Sequence, residues 1–271
     1  LLYRGVVITN GQVGLGINQY GDLNVANQAP SSQGTSGYGL RFLKTGAEFT
    51  APGCDCEGWG IADAGSKIRG WVDENIGHAG LVLQLFSHTA NTATSVVTVG
   101  LGSIEITHDY HPAFATRALF ESDVTIRNIG TLDLTDIRYR RVVDWDMEPT
   151  AFSEFVTNYG FGTAPYLSFV SDDGFASPNP LTARTSIDFT GNATRNGPAD
   201  HGALFEFDLG DLPPGASIGF KEYYGAASGE SAALTALQSV GAQAYSLGEP
   251  MSGPAGWPNT AILGFSFPLA D

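Results

Sequence analysis

Residues 123–148 read DVTIRNIGTLDLTDIRYRRVVDWDME, two alternating apolar runs joined by a polar turn. Val124 and Ile126 alternate with Thr125 and Arg127 until Asn128-Ile129-Gly130 breaks the run. In the return, Ile137, Tyr139, Val143 and Trp145 share one face with Arg141 among them, and Arg138, Arg140, Asp144 and Asp146 share the other. Successive side chains of a strand point to opposite sides, so a period of two over this length predicts strands with one buried and one wet face. That pattern commits the chain to antiparallel β architecture.

Comparable runs recur along the chain. Asn10-Gly11, set between Val6/Ile8 and Val13/Leu15/Ile17, is the signal of a two-residue hairpin turn. Further strands are expected at 40–43, 68–72, 80–88, 94–101, 103–110, 118–128, 136–146, 166–171, 186–189, 204–209, 217–224 and 260–267. Segment 150–163 reads as either a short helix or an aromatic loop, and 172–200 as loop. The 35 glycines and 14 prolines mark many turns. One helix is expected near residues 230–240, where Leu234, Leu237 and Val240 follow capping residues at helical spacing and Gly241 stops the run. The fold class expected is an all-β antiparallel sandwich or supersandwich, one large β domain over residues 1–271 with a soft division near 115–120.

Charge narrows the partners. The chain carries 28 acidic and 13 basic residues, a formal net charge of −15. Phosphate recognition needs a positive field, so nucleic acid and anionic membrane surfaces are poor partners, while cations and neutral glycans remain compatible. No apolar run approaches the ~20 residues that span a bilayer, so membrane insertion is not expected. The chain opens on Leu1 without a charged and then apolar leader and is read as mature. Its few lysines and many Gly, Thr, Ser and Asn residues suggest an extracellular or cell-surface protein.

Five groups are candidates for function. Asp144, Asp146 and Glu148 stand at i, i+2 and i+4, which on an extended strand crowds three carboxylates onto one face and suits calcium. The alternative is a solvated strand end with Asp144 paired to Arg140 or Arg141. Cys54 and Cys56 in PGCDCEGWG could form a disulfide, remain thiols or contribute to a metal site. His108-Asp109-Tyr110-His111 is the best acid–base candidate, but neighbours on opposite strand faces cannot pair, and no G-x-S-x-G or H-E-x-x-H motif accompanies it. Trp59, Trp71 and Trp257 could stack sugars or fill a core. Leu2, Val6 and Ile8 supply one apolar face of an N-terminal strand that could pair locally or be donated to a neighbour.

NIGTLDLTDIRYRRVVDWD resembles the strand–turn–strand unit of bacterial immunoglobulin-like surface domains, and LGDLPPGASIGFKEYY resembles a strand pair of the same group. The Cys-x-Cys-Glu-Gly-Trp-Gly loop, the Val-Asp-Trp-Asp strand end and the late YYGAA…YSLG unit are similar to those of a set of uncharacterised secreted bacterial surface proteins. The resemblance implies an extracellular location. Taken together, the expectation is a secreted structural or surface protein that assembles with itself as a filament or surface-layer subunit, and not an enzyme. The alternatives are a glycan-binding or glycan-processing module and a calcium-stabilised adhesin domain.

Overall fold

The alternating run builds two long strands, but they do not pair with each other. The computed structural model describes residues 5–251 and 258–268 and arranges them as three antiparallel sheets with one helix, an all-β sandwich-type fold. In the nine-stranded sheet the order is β15 (Ala193–Ala199), β13 (Glu154–Tyr159), β18 (Ala244–Pro250), β19 (Thr260–Ser266), β17 (Ser217–Ala227), β11 (Leu119–Asn128), β10 (Ile104–Pro112), β9 (Ala93–Val99) and β8 (Val82–His88). The six-stranded sheet runs β14 (Leu167–Ser171), β16 (Gly202–Leu212), β12 (Leu134–Asp144), β5 (Glu57–Asp63), β6 (Ile68–Asp73) and β7 (Gly77–Ala79). A four-stranded sheet joins β1 (Gly5–Thr9), β2 (Val13–Asn18), β3 (Leu40–Phe42) and β4 (Ala47–Glu48). β11 lies between β10 and β17, and β12 between β5 and β16. The turn after Asn128 therefore passes the chain from one sheet to the other.

The two large sheets bury their apolar faces against each other. Tyr139 of β12 meets Phe220 of β17 edge-on at 5.1 Å, and Phe205 and Phe207 of β16 lie 5.1 and 4.9 Å from Phe265 of β19. On β11 the alternation holds, with Val124 and Ile126 buried and Thr125 and Arg127 outside. On β12 it fails beyond Arg138. Arg140, Asp144 and Asp146, expected on a wet face, are all buried; the loop around residues 174–183 packs on Asp144 and accepts hydrogen bonds from Arg140, and Gly53 approaches Asp146. Buried charges need partners, and Arg140 donates to Glu206 at 2.8 Å.

The helix stands where its spacing places it, as α1 (Glu230–Ser239), with Ala233, Ala236 and Leu237 packed near Tyr223, Leu247 and Ile262. The N-terminal hairpin also forms. Asn10 Oδ1 accepts the Gln12 and Val13 N–H groups, and Gly11 takes φ +87°, a conformation that only glycine adopts freely. Of the longer strands, β5, β13, β15 and β18 are not apparent in the sequence pattern. Residues 186–189, expected as a strand, are irregular.

Candidate functional site: carboxylates at the junction of the sheets

β12 ends at Asp144, where the chain leaves the six-stranded sheet. Two backbone bonds then fix its path: Asp144 N–H donates to Cys56 O at 2.9 Å and Asp146 N–H to Phe49 O at 2.8 Å. Trp145 turns inward and donates to Ser246 Oγ at 2.9 Å. Asp144 and Asp146 thus come to one side, as the spacing suggests. Asp200, in the turn between β15 and β16, joins them from the rim, and one carboxylate oxygen from each of the three lies within 4.8 Å of the others. Glu154, the first residue of β13, approaches from the nine-stranded sheet and accepts the Met147 N–H on Oε1 at 3.1 Å.

Glu148 does not belong to this group. The strand ends at Asp144 and Glu148 already opens the next turn, so the i, i+2, i+4 rule does not carry to it. Its Oε1 accepts from Ser31 and Thr35 at 2.7 and 2.6 Å, and its Oε2 accepts the Glu48 N–H at 2.9 Å. The alternative pairing also fails: Arg140 goes to Glu206, and Arg141 goes to Glu57, with Nε 2.6 Å from Oε1.

The cluster gathers several buried oxygens that lack partners. Among the described residues, neither oxygen of Asp146 has a hydrogen-bond partner, nor has Asp144 Oδ1 or Glu154 Oε2, and all are buried. Burial first, then the Asp144, Glu154 and Asp200 charges, raises the Asp146 carboxyl to about 10. Burial with the nearby Asp200 and Asp173 raises Asp144 to about 8, and burial raises Glu154 to about 8. Such carboxylates can be settled by protons or by a cation.

Cys54 and Cys56 are joined by a disulfide, and Cys54 Sγ lies 3.5 Å from Asp144 Oδ2. The cross-link thus forms one wall of the acidic site.

The remaining candidates divide. His108 and Tyr110 point into the core, and Asp109 and His111 point out, as the alternation predicts. His108 lies against Trp59 at 4.5 Å, with Nε2 2.9 Å from Tyr139 Oη. Tyr139 donates to Glu222 at 2.7 Å, and Tyr224 and Arg141 both donate to Glu57. This network of His, Tyr, Glu and Arg is sealed between the sheets, each member at 0% exposure. Trp59 is equally sealed and donates its indole N–H to Tyr20 O, so it offers no stacking surface; it is a core residue. Trp71 is half-buried on β6, and Trp257 lies outside the described residues. Val6 and Ile8 of β1 register with Ile17 and Leu15 of β2, the local pairing, while Leu2 lies outside the described residues.

Sequence reasoning misses Glu154 and Asp200. Glu154 comes from β13 and Asp200 from the turn between β15 and β16, and the only signal is the turn-like Pro-Ala-Asp-His around Asp200.

No protein-family model matches the chain, and a search of curated proteins finds no match. Among the described residues no helix is long and apolar enough to cross a membrane.

Proposed function

We propose that the chain is an extracellular structural subunit that associates with copies of itself through strand β8. One observation carries this reading. From Asn75 to Ile104 there is no Asp, Glu, Lys or Arg, in a chain whose net charge is −15. This stretch holds β8, the outermost strand of the nine-stranded sheet, on which Val82 and Leu85 are 59% and 49% exposed.

An edge strand presents unpaired N–H and C=O groups, and proteins blunt such edges with charge, proline, irregular register or shortness. The opposite edge, β15, has Arg195, Pro198 and two register shifts. β4 and β7 are two and three residues long. On β8 a single shift between Leu83 and Leu85 leaves the following residues in regular register and without Asp, Glu, Lys or Arg. Net charge repels copies of the chain elsewhere but not here. The sealed polar network supports the same reading, since substrates have no path to it.

Light scattering and electron microscopy test the proposal. Mass should rise with concentration, and Leu85→Lys should hold the chain monomeric with its melting temperature unchanged. A wild-type chain that stays monomeric from micromolar to millimolar concentration contradicts it.

A second reading, glycan binding, has one feature in its favour. A groove of about 850 Å³ on the outer face of the large sheet sets Phe114, Tyr223 and Phe267 beside Glu121, Asp123 and Lys221. Aromatic rings with a few polar groups are what sugar sites use. Phe114→Ala should abolish retention on immobilised polysaccharide if this reading holds.

A further inference from the structure

We infer that Asp144, Asp146, Glu154 and Asp200 bind one divalent cation of the hard, oxygen-seeking class, calcium foremost, and that the ion ties the two large sheets together.

Four observations lead there. Asp144 and Asp146 leave the end of β12 in the six-stranded sheet, Glu154 opens β13 in the nine-stranded sheet, and Asp200 closes the turn from β15 back to β16. Like charges this close repel unless protons or a cation settle them, and carboxylate oxygens of Asp144, Asp146 and Asp200 lie within 4.8 Å of one another, with Glu154 adding its charge to Asp146. Second, Asp146 is fully buried with both oxygens unpartnered among the described residues, and it is joined by Asp144 Oδ1 and Glu154 Oε2. Buried polar atoms are almost always satisfied, so each exception calls for an explanation. Third, the nearest arginines along the chain and across the sheet are engaged elsewhere: Arg140 with Glu206, Arg141 with Glu57, Arg41 with Glu48 and Arg195 with Glu249. Fourth, Asp200 is exposed, which leaves the ion a path from solvent.

The donor set selects the ion. All four side chains offer carboxylate oxygen, the ligand of calcium, magnesium and manganese. The two sulfurs beside Asp144 are tied in the disulfide and are not thiolates, which disfavours zinc. Calcium takes six to eight oxygens in flexible geometry, whereas magnesium demands a near-ideal octahedron. Carboxylates gathered from three separate segments suit the more tolerant ion.

The inference does not depend on self-association through β8. It is tested on the full chain, stripped with chelator and dialysed, by calorimetric titration with calcium chloride and by thermal melts. One ion per chain should bind. An ion held at a hundred times its Kd should raise the melting temperature by about 5–10 °C, scaling known ligand linkage to a chain of this size. Asp146→Asn should lose at least tenfold in affinity and most of the thermal response. Asp200→Asn, at the exposed rim, is a second variant whose folding is not at risk, and it should weaken binding in the same direction. Glu148→Gln should bind calcium as the wild type does, since that carboxylate is already satisfied by Ser31, Thr35 and the Glu48 amide. Wild-type protein that shows neither binding nor a thermal shift with calcium, magnesium or manganese overturns the inference. So does full calcium binding by both Asp146→Asn and Asp200→Asn.

Discussion

Two neighbouring acidic sites in this protein meet burial in opposite ways. Asp172, fully buried after β14, accepts the N–H groups of Ile187, Asp188 and Phe189 at 2.9–3.3 Å and faces His201 Nδ1 at 3.2 Å. Asp146 is equally buried and accepts nothing among the described residues. The sites nearly touch, for Asp200 serves one and His201 the other. A loop curled around Asp172 supplies donors from within the chain. The turn after β12 spends its N–H groups on carbonyls of Phe49 and Cys56 and leaves its carboxylates to something from outside. Acidity and burial alone do not mark an ion site; several carboxylates gathered without donors or cationic partners do.

A third buried carboxylate is settled by a cation from within the chain. Glu57 is held by Arg141, Tyr224 and the Leu23 N–H. Arg141→Met would strand the Glu57 and Glu222 charges between the sheets, at a cost of about 3–5 kcal/mol. Urea unfolding measures it. Next comes Asp172→Asn, which keeps the shape but turns an amide N–H₂ toward groups that themselves donate. Loss of charge-assisted bonds there should cost about 2–3 kcal/mol and leave calcium affinity untouched.

The pH response gives a smaller effect with a definite sign. Folding raises Asp144 from its ordinary 3.8 to about 8 and Glu154 from 4.5 to about 8, both chiefly by burial. Between those limits the folded chain holds more protons than the unfolded one, so stability falls as pH rises. Glu48 and Asp73, each raised to about 7 chiefly by burial, act in the same direction. In chelator, then, the melting temperature should climb as pH is lowered from 8 to 6. With calcium saturating, acidification displaces the ion, and the gain should shrink or reverse. Equal pH slopes in chelator and calcium would break the comparison between the two acidic sites. The least effect is expected from alkylation: intact mass should show no thiol modification of Cys54 or Cys56 until the protein is reduced, since the pair is oxidised.

The parts of this molecule that are legible in the sequence are those set by local periodicity. Strands β10, β11, β12 and β17, the Asn10-Gly11 turn and the helix follow from alternation, turn chemistry and helical spacing, although the helix N-cap is Gly229 and no side chain caps it. The sheet partners of β11 and β12 are not legible, because pairing is decided by segments far along the chain, such as β5 and β16. The same holds at the site. Spacing puts Asp144 and Asp146 on one side, and the bonds of their N–H groups to Cys56 O and Phe49 O keep them there past the end of β12. Spacing misplaces Glu148, because it cannot show where extension stops. Glu154 is hidden in an aromatic stretch that reads equally as helix or loop. Trp59 lies within β5, whose Gly-rich opening conceals a fully buried strand.

The most direct test sets Asp146→Asn beside Asp172→Asn in thermal melts with chelator present and calcium absent. Both changes are isosteric and each removes one buried acid. Opposite signs are expected: Asp146→Asn melts at or above the wild-type temperature, because an unpartnered carboxyl has gone and no bond with it, and Asp172→Asn melts several degrees below it. If Asp146→Asn is destabilised as much as Asp172→Asn, its carboxylate is satisfied within the chain and the acidic cluster is no ion site.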